Sequence, residues 1–198
     1  MTGLEFMLKI DEDPSWCLSI KEPLEITTYV QLIKEAITHL SPFLTFSGKN
    51  EMGWAADFER CKNLKVATGT FHGFVYFGSS GIKEIKNLNI TGIDSEGDSA
   101  NFYSCKNLKV ATGTFKGAVN FESSKIEEIK ELIIQNKNIK KEKASFIFCP
   151  IKYVPKKYRE KGFGFNYGVI EKSIIKDRKD SIKHTVEKIK SETNNIEL

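Results

Sequence analysis

The stretch CKNLKVATGTF occurs twice in this chain, at Cys61–Phe71 and again at Cys105–Phe115. The two copies begin 44 residues apart and are identical at every position. Aligning the chain with itself at this shift also superimposes flanking residues: Phe58 on Phe102, Phe77 on Phe121, and Ile82, Ile85, Leu88 and Ile90 on Ile126, Ile129, Leu132 and Ile134. A repeat of this length predicts an array of similar structural units.

Each 44-residue unit divides into two halves with the same spacing of apolar residues. The first half reads FxxCxxLxV and the second reads IxxIxxLxI, and the anchoring leucines are Leu64, Leu88, Leu108 and Leu132. An LxV or LxI triplet has the two-residue period of a strand, so Leu64 and Val66 are expected to point to the same side. One such unit cannot bury its apolar face alone, so the units are expected to stack.

The pattern LxxLxxLxL, with leucines separated by 24, 20 and 24 residues, resembles a leucine-rich repeat protein. The FxxCxxLxxV variant is similar to the bacterial surface-antigen-like subclass of that family. The chain departs from that subclass because ATGTF replaces the usual Ile-Pro after the strand, and the Asn of many leucine-rich repeats is missing. The resemblance implies a solenoid of short parallel β-strands. A right-handed parallel β-helix is the alternative, because TGTFKGAVNF alternates like a strand with glycine corners.

The four cysteines, Cys17, Cys61, Cys105 and Cys149, all occupy the same phase of the repeat. Successive cysteines would lie two coils apart, roughly 9–10 Å at ~4.8 Å per coil, which exceeds the reach of a disulfide. The cysteines form no CxxC pair of the kind found in zinc ribbons and redox sites. We therefore expect four free thiols that fill small buried spaces.

Both ends of the chain show helical patterns. Apolar residues across Thr28–Leu40 have helical spacing and stop before Pro42, which predicts a capping helix there. A second amphipathic helix is predicted from about Gly168. The predicted organisation is a divergent repeat with a capping helix over residues 1–50, a solenoid over 51–160, and a C-terminal helical cap or tail over 161–198.

The charges are unevenly distributed along the chain. Residues 1–136 contain 14 Lys and Arg against 18 Asp and Glu, whereas residues 137–198 contain 16 against 8. No apolar run approaches the ~20 residues of a membrane helix, and the N-terminus lacks the pattern of a secretory signal. We expect a bacterial protein located in the cytoplasm, or secreted by a system that needs no cleavable signal peptide.

No catalytic or metal-binding motif emerges from the sequence. None of the three histidines has a Cys, His or carboxylate partner at ligand spacing. Asp94, Glu96 and Asp98 alternate as in a calcium loop, but the EF-hand register fails, so a solvated loop is expected. The glycines form no phosphate-binding motif. We therefore expect a non-enzyme without cofactor or metal, although an enzyme with an unrecognised site is a third hypothesis.

In leucine-rich repeats the residues that flank the inward leucines face the concave side, which solenoids use to hold proteins. The resemblance therefore implies a partner-binding strip. Its residues are Asn63, Lys65 and Ala67; Asn87, Asn89 and Thr91; Asn107, Lys109 and Ala111; and Glu131, Ile133 and Gln135.

The sequence accordingly favours a protein–protein interaction module, such as an effector, an immunity-type protein that blocks a toxin, or a scaffold. The alternative is a nucleic-acid-associated protein, because basic residues interleave with tyrosines in the C-terminal third. The residues that would carry this alternative are Lys140, Lys141, Lys156, Lys157 and Arg159.

Overall fold

A computed structural model describes residues 1–32 and 37–194, which contain thirteen short strands arranged in two parallel sheets. The first sheet has the order β1 (Leu24–Ile26), β3 (Leu44–Phe46), β5 (Val66–Phe71), β7 (Glu84–Ile90), β9 (Val110–Phe115) and β11 (Glu128–Ile134). The second has the order β13 (Phe163–Gly164), β12 (Ala144–Ser145), β10 (Ala118–Asn120), β8 (Asp98–Asn101), β6 (Phe74–Tyr76), β4 (Trp54–Asp57) and β2 (Val30–Gln31).

From β1 to β12, consecutive strands alternate between the two sheets, so the chain crosses from one sheet to the other at each turn. Three of these turns are equivalent and occur 44 residues apart, at Asn50, Asp94 and Asn138. In each, a side-chain oxygen accepts hydrogen bonds from the backbone N–H groups two and four residues later. Such side chains replace backbone partners at a turn, which explains how a repeating sequence yields a repeating path.

The register of the predicted strands is correct in the second half of each unit and wrong in the first. Strand β7 buries Ile85, Leu88 and Ile90, as its pattern predicts. Leu64, however, lies in a turn before β5, where its N–H donates to the carbonyl of Cys61 at 3.1 Å. The following Val66 is only half-buried. Strand β5, which pairs with β7, begins only at Val66, two residues after Leu64. Its pairing with β7 runs from Val66 opposite Glu84 to Phe71 opposite Ile90.

A column of stacked phenylalanine rings runs through the core beside the second sheet. The ring centroids of successive members lie 5.4, 5.0, 5.2, 5.1 and 5.3 Å apart, and adjacent rings are within 18° of parallel. The column consists of Phe58, Phe77, Phe102, Phe121, Phe146 and Phe165. The spacing matches the distance between neighbouring strands, so each coil contributes one ring.

The four cysteines are free and buried, as the sequence predicts. The thiols of Cys61, Cys105 and Cys149 donate to the backbone carbonyls of Leu32, Phe77 and Phe121 at 3.2, 3.2 and 2.9 Å. Burial raises the pKa of Cys17 and Cys61 to about 12 and that of Cys105 and Cys149 to about 11. These thiols are therefore poor nucleophiles.

Alkylation should distinguish the folded chain from the unfolded one. A pKa raised from 9.0 to about 12 lowers the thiolate fraction of Cys17 and Cys61 about a thousand-fold. We expect iodoacetamide in mildly alkaline buffer to leave the native thiols unmodified while all four react in guanidinium chloride, as measured by mass spectrometry. Native labelling of Cys61 at the rate of the unfolded chain would contradict the buried placement.

Helix α1 (Gly3–Glu12) covers the N-terminal end of the sheets. A capping box begins it, because Glu5 N–H donates to the Thr2 hydroxyl and Thr2 N–H to the Glu5 carboxylate. Phe6 packs against Phe46, with ring centroids 5.5 Å apart. Helix α1 therefore closes the core at this end.

The helix predicted over Thr28–Leu40 is wrong for the described part of that stretch. Val30 and Gln31 form β2, whose partners on β4 are Ala56 and Asp57. Buried Val30 and Leu32 alternate with exposed Gln31, which is the period of a strand. Residues 33–36 of the predicted helix lie outside the described residues.

Helix α2 (Val169–Asn194) begins where the sequence predicts a helix. It is held to the end of the array near its start, where the Ser173 hydroxyl accepts from Val154 N–H at 2.9 Å and Asp177 accepts from Arg159 at 2.7 Å. From Arg178 to Lys188 every side chain is exposed. Strands β1 to β3 pair into the same two sheets as the central strands, so both sheets extend across the boundary predicted at residue 50. Strand β13 joins the second sheet, which alone extends across the boundary predicted at residue 160 among the described strands.

Candidate binding surfaces

The outer face of the first sheet carries a row of aligned side chains, four of them polar and the last one apolar. In-register pairing places Thr45 opposite Thr70, then Asn89, Thr114 and Ile133 on the following strands. Asn89 and Ile133 belong to the partner-binding strip implied by the family resemblance. Strand alternation turns the residues next to each member of the row toward the core, as Leu88 and Ile90 beside Asn89 show. This row is therefore the part of the strip that is built on regular strands.

Two other members of the strip lie at bulges on this face. Asn87 and Glu131 are exposed and have positive φ values of 49° and 47°, at equivalent points of β7 and β11. In both strands the pairing register shifts at this point, between Ile85 and Leu88 and between Ile129 and Leu132. A bulge turns a side chain away from the regular ladder, so these two polar groups project from the sheet.

A lysine-rich groove of about 570 Å³ runs along the corner where the chain enters the first sheet. Its lining is Lys83, Glu84, Lys106, Asn107, Lys109, Lys125 and Glu127. The Lys106 ammonium donates to the carbonyl of Ser123 at 2.6 Å, and Lys109 lies 3.5 Å from Glu127. Four lysines against two carboxylates leave this groove positively charged. Asn107 and Lys109 were both predicted as binding residues, and Asn63 is exposed at the equivalent corner one repeat earlier.

Three members of the predicted strip do not lie on an exposed face as expected. Ala67 and Ala111 are fully buried, because β5 and β9 begin at Val66 and Val110 and turn these alanines inward. Lys65 is half-buried, and its ammonium donates to the carbonyl of Lys62 at 2.6 Å. Thr91 and Gln135 are exposed after the ends of their strands. The discrepancy follows from the shifted register of the first half-unit.

The second sheet carries an aromatic cluster that is not among the sites predicted from the sequence. The ring centroid of Trp54 lies 4.9 Å from that of Phe74 and 5.9 Å from that of Tyr76, and the Trp54 and Tyr76 rings are within 14° of parallel. Trp54 and Tyr76 are half-buried, whereas Phe74 is buried. Trp54 and Phe74 are separated by one coil along the chain and pair directly on β4 and β6. That coil spacing was the sequence feature that could have revealed the cluster.

A groove of about 250 Å³ separates this cluster from Asp94 and Glu96 in the preceding loop and from Asp98 at the start of β8. One oxygen of Asp94 accepts from the N–H groups of Glu96 and Asp98 at 2.9 and 3.0 Å, which shapes the loop. Burial raises the pKa of Asp98, and the nearby carboxylates Asp94 and Glu96 raise it further against the opposing hydrogen bond from Asn138. The solvated loop expected from sequence is therefore one wall of a charged groove.

The basic residues predicted to bind nucleic acid lie in separate elements of the C-terminal third. Lys140 and Lys141 lie in the turn before β12, whereas Lys156 and Lys157 lie in a 3-10 helix (Lys156–Tyr158) after it. Arg159 is not available to a nucleic acid as predicted, because its side chain is only 11% exposed. Its guanidinium donates to the carbonyl of Val154 at 2.8 Å and to Asp177 at 2.7 Å. Arg159 therefore anchors α2.

Within residues 1–32 and 37–194, no three His, Cys, Asp or Glu side chains converge in an arrangement that could hold a metal ion. Neither helix, over its described residues, has the length and hydrophobicity needed to cross a membrane. Comparison of the chain with protein-family models, with curated proteins and with solved structures finds no match.

Proposed function

We propose that this chain is a non-catalytic protein-binding module that holds a partner on the outer face of its first sheet. Two observations on the same sheet carry the proposal: the aligned row from Thr45 to Ile133, and the lysine-rich groove at the corner where the chain enters the sheet. Its polar groups are held by a regular scaffold, so little conformational entropy is lost when they bind.

We also propose that the two sheets are the faces of a repeat solenoid. The alternation of strands between two parallel sheets and the one-ring-per-coil phenylalanine column support this assignment. The presence of strands on both faces favours the parallel β-helix alternative over the leucine-rich-repeat class. Extended surfaces of this kind suit partners that contact several coils at once.

The charge of the groove indicates an acidic partner segment. Lys83, Lys106, Lys109 and Lys125 come from successive corners of the array and line one groove. Positive charges arranged along a groove attract a complementary acidic chain and accelerate its association. The scaffold, immunity-type and effector roles are each compatible with such a protein partner.

Pull-down from the native cell lysate with a Lys83→Glu, Lys109→Glu double variant tests this proposal. We expect the wild-type chain to capture one or a few defined proteins. The double variant should capture at least about tenfold less of each, since close charge pairs at interfaces contribute several kcal/mol. Captured proteins are quantified by mass spectrometry.

The matched control is a Lys49→Glu, Lys116→Glu variant, which makes the same charge change at exposed lysines on the other corner. It should capture the partner as wild type does. Equal loss in both variants would show a non-specific charge effect. Nuclease-sensitive capture that persists in the first variant would replace this proposal with the nucleic-acid alternative, in which affinity falls steeply with salt.

A further inference from the structure

The aromatic cluster of the second sheet ends abruptly beside an open groove. Trp54 on β4 and Tyr76 on β6 stack on each other, but the next strand, β8, carries Asp98, Ser99, Ala100 and Asn101. Because no aromatic side chain on β8 continues the cluster, space remains next to it. That space is the 250 Å³ groove lined by the three aromatic residues and by Asp98, Ala100 and Asn101.

The groove is negatively charged. Asp94, Glu96 and Asp98 line it, and among the described residues no Lys or Arg does. The pKa of Tyr76 is raised, first by burial and then by the nearby carboxylates of Glu59 and Asp57. Burial raises the pKa of Asp98, and Asp94 and Glu96 raise it further, which outweighs the opposing hydrogen bond from Asn138 and the charge of Lys140. A bound cation would relieve this repulsion, so the groove favours a positively charged ligand.

Aromatic rings beside carboxylates bind some cations better than others. A cation near an aromatic ring face is attracted by the ring quadrupole, most strongly for tryptophan and then tyrosine. Guanidinium is planar, stacks on aromatic rings and forms paired hydrogen bonds with carboxylates, whereas an ammonium is a strongly hydrated point charge. We propose that this groove binds an arginine side chain of a partner polypeptide, with the guanidinium beside Tyr76 and its N–H groups on Asp98 and the neighbouring carboxylates.

The surface next to the groove can hold the chain on either side of that arginine. A second groove of about 330 Å³ shares Asp98 and Asn120 with the first and continues across β10 to β12. It contains Glu122 and Glu142 and a single basic residue, Lys140. The acidic character therefore extends along the sheet, which fits a basic segment around the arginine. This site lies on the opposite sheet from the lysine-rich groove, so it does not depend on the proposed function.

Fluorescence titration of the full chain tests the proposal. The chain has two tryptophans, and Trp16 packs on Phe6 at the N-terminal end, so a Trp16→Phe background leaves Trp54 as the sole reporter. The probe is the peptide Ac-Gly-Gly-Arg-Gly-Gly-amide. We expect a saturable change in Trp54 emission, and at least about tenfold weaker binding of the same peptide with neutral citrulline in place of arginine. The lysine peptide should bind more weakly than the arginine peptide.

Two variants locate the site and keep the test independent of folding. Asp98→Asn retains the shape of the side chain and its contact with Asn138, and should weaken arginine-peptide binding about tenfold. Glu128→Gln removes the same charge from an exposed position on the first sheet and should bind as wild type does. Circular dichroism checks that both variants fold. Equal affinity for the arginine and citrulline peptides, or unchanged affinity in Asp98→Asn, would overturn the proposal. If the Lys83→Glu, Lys109→Glu variant loses partner capture but still binds the arginine peptide, the two sites act independently.

Discussion

Replacing Phe102 by alanine should lower the free energy of unfolding by about 3–5 kcal/mol, the typical cost of truncating a buried phenylalanine. Phe102 is fully buried at the centre of the column, with its ring centroid 5.0 Å from that of Phe77 and 5.2 Å from that of Phe121. The truncation removes both stacked contacts and leaves a cavity between coils. Because each coil packs mainly on its neighbours, the cavity weakens the coupling between the two halves of the array.

Guanidinium chloride unfolding followed by circular dichroism measures this loss. The matched control is Phe148→Ala, since Phe148 is 75% exposed and its truncation should change stability by less than about 0.5 kcal/mol. If Phe102→Ala costs no more than Phe148→Ala, the phenylalanine column does not hold the array together. A shallower transition in Phe102→Ala alone would show that the two halves unfold separately.

Removing one oxygen atom from Tyr158 should cost about 2–4 kcal/mol, because it leaves two buried backbone groups without partners. The Tyr158 hydroxyl accepts from Leu132 N–H at 3.0 Å and donates to the Leu132 carbonyl at 3.2 Å. Leu132 lies on β11, the last strand of the first sheet. The tyrosine therefore supplies the hydrogen bonds that a following strand would make, and it protects the sheet edge at that point.

Tyr158→Phe is measured by denaturant unfolding and by hydrogen exchange at the Leu132 amide, which should become faster in the variant. Tyr153→Phe serves as the control, because that hydroxyl donates to Asp177 in an exposed contact and its loss should cost about 1 kcal/mol or less. Unchanged exchange at Leu132 in Tyr158→Phe would mean that the hydroxyl does not protect the edge of β11.

The sequence predicted some local details correctly and others wrongly, and the difference has a physical cause. The pattern Ile85, Leu88, Ile90 was interpreted correctly because these apolar residues lie on the strand itself. The pattern Cys61, Leu64, Val66 has the same spacing, but it spans a turn and only the first residue of a strand. Both Leu64 and Leu88 are buried, so hydrophobic spacing alone could not separate the two cases.

The residues predicted to form binding sites show the same difference between local and long-range information. Asn89 is half-buried and Ile133 is exposed on regular strands, where each follows a buried leucine, so the two-residue period of the sequence indicates their outward direction. Arg159 was predicted as a surface cation because it lies in a basic stretch, yet its partner Asp177 is supplied by a helix that begins ten residues later. The aromatic and acidic walls of the 250 Å³ groove come from β4, β6, the loop before β8 and β8 itself, which are separated along the chain. A linear pattern shows no such convergence.

The sequence by itself determined the repetition, the parallel stacking of strands, the burial of the four cysteines in one phase and the start of the C-terminal helix. These follow from the sequence because repeated segments adopt equivalent conformations, and their apolar faces can be buried only by stacking on one another. Only the tertiary structure decided where each strand begins, which residues face outward, and which side chains meet across coils. Strand boundaries depend on hydrogen bonds to the neighbouring coil, and a groove depends on residues brought together by the path of the chain between sheets.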